Sequence, residues 1–274
     1  MRYALPLLSA ILLSAAWCPA DTLSDPFGQS QANCTLSYNA PYSSCDVIGD
    51  ETLYDIQAAT VITSSTTATV TIYTNSGAVQ NVNGKLTLGS FSDSGVTLIP
   101  GDIFFYSPNN PVYDPSDPNT IQYLQYGVSL TNHGSFVAGD LYSISGGIST
   151  ETAQQALDNS TDYYRRDETV LMTGSGTPAG VGMVNVSYFG NGITSAEYAI
   201  TVTVPLSSGL ENLVSDGVIG LLYSSADCGN DVIQGTVGGG VVGVDTVPEP
   251  GPASLILAGI ALLAAGRPWR RRSA

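Results

Sequence analysis

Seventeen aspartates, six glutamates and one histidine, His133, are the groups with which this sequence could do acid–base or metal chemistry. Oxygen donors on Asp, Asn and Gly-flanked carbonyls suit calcium, a hard cation that takes six to eight such ligands. The clusters are Asp46, Asp50 and Asp55; Asp114 and Asp117; and Asp227, Asn230 and Asp231, the last being the candidate metal set. None has the DxDxDG spacing, and Asp and Asn in such places also cap turns. Zinc is not expected, because there is no CxxC and only one His. His133 lies in Thr131-Asn132-His133-Gly134, a polar turn, and no serine sits between nucleophile-elbow glycines, so a Ser-His-Asp triad is not expected. A carboxylate pair for glycoside cleavage can be drawn from these acids in too many ways for any pair to be nominated. Asp167-Glu168 beside Arg165-Arg166 fits an ion-paired strand entrance better than an acid/base couple. No catalytic residue is assigned, and the expectation is a protein that is not an enzyme.

The elements that must position these groups are strands. Thr, Val, Ile and 15 Tyr abound while surface helix formers are scarce, and 30 Gly with 15 Pro supply turns. In residues 68–74, Ala68, Val70 and Ile72 face one way and Thr69, Thr71 and Tyr73 the other, the period of a half-buried strand. Asn83-Gly84 predicts a hairpin turn of the primed type. Further strands are predicted over 53–62, 84–88, 102–106, 121–130, 141–144, 169–173, 183–189, 197–204, 218–223 and 231–237, with a long loop over 107–119 and one short helix over 150–157. This spacing predicts an all-β fold, a two-sheet sandwich or jelly roll. The aromatics Phe104, Phe105, Tyr106, Tyr113, Tyr123, Tyr126, Tyr163 and Tyr164 could stack on sugar rings, but strand core is their commoner use.

Both ends differ from this middle. Residues 1–20 combine Arg2, an apolar run from Ala4 to Ala16, and small residues before Asp21, the make-up of a secretory signal peptide. Cleavage after Ala20 is favoured over lipidation of Cys18, since Trp17 is too bulky for the lipoprotein pattern. Export places the remaining Cys34, Cys45 and Cys228 in an oxidising compartment. Their odd number forbids complete pairing within the chain; Cys34 with Cys45 is the preferred disulfide, and either with Cys228 is the alternative. Between residues 21 and 247 three cations, Lys85, Arg165 and Arg166, stand against 22 acids, a net charge of −19. That excludes nucleic acid and anionic lipid as partners and leaves cations, basic partners and neutral polymers.

At the other end Val247-Pro248-Glu249-Pro250 is followed by the apolar run Ala253 to Ala265 and by Arg267, Trp269, Arg270, Arg271 and Arg272. This ordered trio resembles the PEP-CTERM sorting tail. The resemblance implies export in a Gram-negative bacterium and sorting by exosortase, a membrane-embedded cysteine protease that acts at the Pro-Glu-Pro motif, in settings tied to extracellular polysaccharide and biofilm. It covers residues 247–274 only. A helix over 252–266 spans about 22 Å at 1.5 Å per residue, short of a bilayer core of about 30 Å, so transient inner-membrane insertion is expected rather than permanent anchoring. The arginines hold the tail on the cytoplasmic side. Three internal stretches, Tyr126-Gly127-Val128-Ser129-Leu130-Thr131, Tyr164-Arg165-Arg166-Asp167-Glu168 and Cys228-Gly229-Asn230-Asp231-Val232-Ile233, resemble a recurrent subset of the same secreted proteins, one with no assigned activity.

The expected organisation is therefore a signal peptide (1–20), an acidic β-sandwich domain (21–237), a Gly-rich linker (238–246) and the sorting tail (247–274). The domain would be flanked by a signal helix and a short hydrophobic helix. The expected role is structural or adhesive at the cell surface or in the extracellular matrix. A calcium-assisted carbohydrate-binding module and a secreted glycan-active enzyme are the alternatives.

Overall fold

The alternation of residues 67–74 is realised as a strand in which Ala68, Val70, Ile72 and Thr74 are buried and Thr67, Thr69, Thr71 and Tyr73 are half-exposed. The computed structural model describes residues 22–24, 50–93, 95–109, 123–157, 168–189, 196–206, 209–214, 218–238 and 240–241, all within the unit Pro19–Val242. The predicted signal peptide, the linker beyond residue 241, the sorting tail and most of the 107–119 loop lie outside these residues. Among the described residues no helix is long and apolar enough to cross a membrane.

In chain order the first strands are β1 (Thr22–Ser24), β2 (Ile56–Thr63), β3 (Thr67–Thr74), β4 (Val79–Val82), β5 (Lys85–Leu88), β6 (Phe91–Asp93), β7 (Val96–Leu98) and β8 (Ile103–Tyr106). They are followed by β9 (Leu124–Val128), β10 (Leu141–Ser143), β11 (Ile148–Thr152), β12 (Thr169–Gly174), β13 (Met183–Tyr188), β14 (Tyr198–Pro205), β15 (Val218–Ser224), β16 (Val232–Gly238) and β17 (Gly240–Val241). Two one-turn helices, α1 (Glu51–Tyr54) and α2 (Ala153–Ala156), complete the main elements.

The fold is all-β. One sheet runs β1-β2-β3-β14-β13, with β17 added in parallel to β2; the other runs β10-β9-β8-β15-β16 with antiparallel neighbours. β4-β5, β6-β7 and β11-β12 form separate two-stranded antiparallel sheets. One core cluster joins Ile56, Val61, Val70, Ile72, Ile200 and Val202 of the first sheet to Ile103, Phe105, Ile219, Leu221, Ile233 and Val237 of the second. Each such side chain removed from water contributes about 1.5–3 kcal/mol. The second sheet is covered on its other face as well: Phe104, Tyr106 and Leu222 pack with Phe136, Tyr142, Ile148 and Met172. This explains why Ile103-Phe104-Phe105-Tyr106 is an unbroken buried run rather than an alternating one. Gly220 faces Tyr106 across the β8–β15 pair, and the aromatic ring occupies the space that a side chain there would need.

Local chemistry decides the turns. Asn83 and Gly84 both take positive φ, 54° and 83°, and close the β4–β5 hairpin as their residue types require. Two predictions are corrected. Helix over 150–157 is confined to Ala153–Ala156, because Thr150 to Thr152 pair with β12; the Thr152 N–H donates to Gln155 Oε1 at 2.8 Å where the helix begins. The strand predicted from residue 53 begins at Ile56, because Asp50 caps α1, its Oδ1 accepting the Thr52 N–H and hydroxyl at 2.8 Å each.

Candidate functional site

Among the described residues, a buried polar arrangement gathers where the second sheet meets the β11–β12 pair. Asp102, just ahead of β8, donates its N–H to Val170 O (2.8 Å) and accepts the Met172 N–H at Oδ2 (2.7 Å), so its carboxyl ties β8 to β12. It has no solvent exposure. His133 reaches it from the turn after β9, which is closed by reciprocal backbone bonds between His133 and Phe136. The imidazole stands 5.3 Å from the Phe136 ring, and Phe136 packs edge-on against Tyr142 at 4.9 Å. Tyr142 in turn accepts the Val137 N–H at its hydroxyl, 3.0 Å away, fixing the turn over the sheet.

His133 Nε2 lies 3.3 Å from Asp102 Oδ2. On the other side of the ring, Nδ1 is 3.1 Å from Thr131 O and 3.1 Å from Ser129 Oγ. A carbonyl only accepts, so Nδ1 carries a proton. Nε2 makes no aligned hydrogen bond, and its attraction to Oδ2 is that of a charge pair once the ring is protonated. Burial pushes the Asp102 carboxyl above its ordinary range, an effect the hydrogen bond and charge of His133 oppose. Burial pulls the imidazole down, but the attraction of Asp102 outweighs it, and His133 is held above its ordinary 6.5. Glu151 on β11 and Asp227 in the β15–β16 turn add negative charge that acts on the imidazole, and Tyr223 of β15 feels Asp102 in the same way.

Ser129, His133 and Asp102 are thus in contact, although a triad is not expected from their types and spacing. The bonding runs the wrong way for nucleophile activation. Ser129 donates its hydroxyl to Thr131 O at 2.6 Å and is fully buried, and the nitrogen beside it is a donor rather than a base. What the arrangement can do is hold a proton and pin the 129–137 turn across the sheet. The sequence signal for it was faint: a lone histidine, and an aspartate 31 positions earlier at the start of an aromatic strand.

The candidate metal residues sit together on the β15–β16 turn with little exposure: Asp227 8%, Asn230 5% and Asp231 0%. Their oxygens are directed to the protein itself. Asp231 accepts the Ile56 N–H at Oδ2 (2.5 Å) and the Val232 N–H at Oδ1 (2.8 Å), latching the start of β2 to the second sheet. Asp227 Oδ1 faces the Ile99 N–H at 3.4 Å, and Asn230 Oδ1 meets the Cys228 thiol. Among the described residues no three His, Cys, Asp or Glu side chains converge as a metal would require. Burial pushes the Asp227 carboxyl up to about 7 against the pull of the Ile99 amide.

The other named residues divide clearly. Cys228 is a buried free thiol; Cys34 and Cys45, the preferred disulfide, lie outside the described residues. So do Val247, Pro248, Glu249, Pro250, Arg270, Arg271 and Arg272, and also Asp46, Asp114, Asp117, Tyr113, Tyr163 and Tyr164. Asp55 accepts the Gln57 side-chain amide at 2.8 Å. Phe104, Phe105 and Tyr106 are core and offer no platform to a sugar. Tyr188, not singled out by the sequence, is 62% exposed.

No protein-family model matches this chain, no curated protein matches it, and no solved structure matches it.

Proposed function

We propose that this chain is an exported surface or extracellular-matrix protein whose acidic middle folds as a two-sheet sandwich and acts structurally or adhesively rather than catalytically. It is delivered by residues 1–20, held at the inner membrane through its tail, sorted by exosortase and cut near Pro248 to Pro250. The observation that carries the reading is the ordered tail: Val247-Pro248-Glu249-Pro250, a short apolar run, and Arg270, Arg271 and Arg272. Pro248 and Pro250 keep the motif extended and free of helix, as a protease needs its substrate.

Two features of the folded middle support the rest. A single core drawn from both large sheets favours the sandwich. The buried Ser129, already committed to Thr131 O, favours a role without nucleophilic chemistry. Extracellular polysaccharide is the environment proposed for the mature protein, since its charge leaves neutral polymers acceptable.

The test is expression in a Gram-negative host with and without exosortase, followed by fractionation. With the protease, the protein leaves the inner membrane; without it, or with Pro248 and Pro250 both changed to Ala, the protein stays there. Equal release in both hosts would refute the sorting reading.

A further inference from the structure

The fold treats its sheet edges unequally. β10 is three residues long, and Leu141 exchanges backbone bonds with residues 179–180: its N–H donates to Gly180 O and its carbonyl accepts the Ala179 N–H, at 2.8 and 2.7 Å. β16 packs beside β1 and β2, and β1 is again three residues long. β13, at the other end of the first sheet, is a six-residue strand paired in register with β14 alone. Among the described residues nothing pairs with its outer edge, which leaves a row of backbone donors and acceptors there.

The side chains of this edge carry none of the usual defences. From Ala179 to Phe189 there is no charged residue and no proline. Val181, Met183 and Tyr188 are 78%, 68% and 62% exposed, and among the described residues they make up half of the six exposed large apolar residues. Val184, on the inner side, joins the core with Leu88 of β5, so the strand is held firmly and its edge is presented rather than frayed.

An open, uncharged edge is completed by another extended, uncharged segment. β13 of a second copy is such a segment, and a two-fold axis lets each edge satisfy the other with one kind of contact. Charge selects the place of contact. The chain carries a net charge of −15, so two copies repel over most of their surfaces, whereas here neither brings a charge to the contact. We infer that β13 is a self-association edge, through which two copies of this chain pair antiparallel and join their first sheets into one. This goes beyond the sorting reading and does not depend on it: the pairing needs only the folded middle.

The test is sedimentation velocity of the full chain in a mild non-ionic detergent that covers the apolar tail, from about 1 to 100 µM. The wild type passes from monomer to dimer over this range. Met183→Lys and Asn185→Lys, both at exposed positions of β13, raise the apparent Kd about tenfold or more, because each places like charges across the two-fold contact. Val82→Lys, at a 49% exposed position in the β4–β5 hairpin, leaves it unchanged. A synthetic peptide spanning residues 181–189 in excess dissociates the wild-type dimer, a readout that needs no variant to fold. A wild type monomeric throughout the range, a dimer indifferent to both β13 lysines and the peptide, or a dimer weakened equally by Val82→Lys would overturn the inference.

Discussion

Replacing Asp102 by Asn removes the charge that holds the His133 proton while leaving the shape of the site nearly intact. Opposite unit charges 3.3 Å apart attract by about 5 kcal/mol at an effective dielectric of about 20. Burying the carboxylate consumes part of this, yet breaking such a pair from one side still costs about 3 kcal/mol, because the other group is left unpaired. With a urea m-value of about 2–3 kcal/mol per M, the unfolding midpoint falls by about 1 M or somewhat more. The pair is also visible directly. His133 is the only histidine, so a single imidazole resonance reports its titration. In the wild type it titrates above 6.5; in Asp102→Asn burial is opposed only by the backbone hydrogen bonds to Thr131 and Met172, and it titrates lower than in the wild type. Because the folded value is the raised one, the stabilisation is fully present below 6.5 and is lost as pH rises through the folded value. Urea denaturation near pH 6 and pH 9 therefore differs in the wild type by more than in Asp102→Asn. A wild-type His133 titrating at or below 6.5, or an Asn variant with unchanged titration and midpoint, would refute the proton placement.

Other perturbations test other parts of the structure. Asp227, raised from 3.8 to about 7, stabilises the fold least when ionised, so wild-type stability declines as pH rises through about 7. Asp227→Asn reduces that decline in chemical denaturation between about pH 5 and pH 8, leaving the part due to His133, and an unchanged pH dependence would contradict the assigned burial. Ile72→Ala, at a fully buried position of β3, costs about 2–5 kcal/mol by the same assay; a loss below about 1 kcal/mol would mean that the two sheets do not share this core. Gly220→Ala drives a methyl group into the Tyr106 ring and lowers the melting temperature, whereas Gly84→Ser, with open space around its Cβ position, acts only through its positive φ. Equal effects of a few tenths of a kcal/mol for both would remove the packing argument.

Strands with local signatures were readable in advance. The Thr-Ala-Thr-Val-Thr-Ile-Tyr-Thr run announced β3, and Asn83-Gly84 announced its hairpin, because period and turn chemistry are carried by adjacent residues. Burial on both faces of β8 was not readable, since the same apolar run is compatible with one covered face or two. Thr150 to Thr152 carry a helix-capping pattern, yet pairing with β12 draws them into a strand and leaves helix only from Ala153. The His133 site was hidden for a related reason. Asp102 and its Met172 donor are 70 residues apart, and only the juxtaposition of β8, β12 and the turn after β9 assembles them. Residue type alone makes Asp227, Asn230 and Asp231 candidate cation ligands; that Asp231 accepts the Ile56 and Val232 amides depends on tertiary contacts the sequence does not display.

Export and trimming are most directly tested by the intact mass of the protein collected outside cells that carry exosortase. The expected mass lacks residues 1–20 and everything from about Pro248 onward, including Trp269 and the arginines after it. An external protein that retains the Arg270-Arg271-Arg272 terminus would contradict the account.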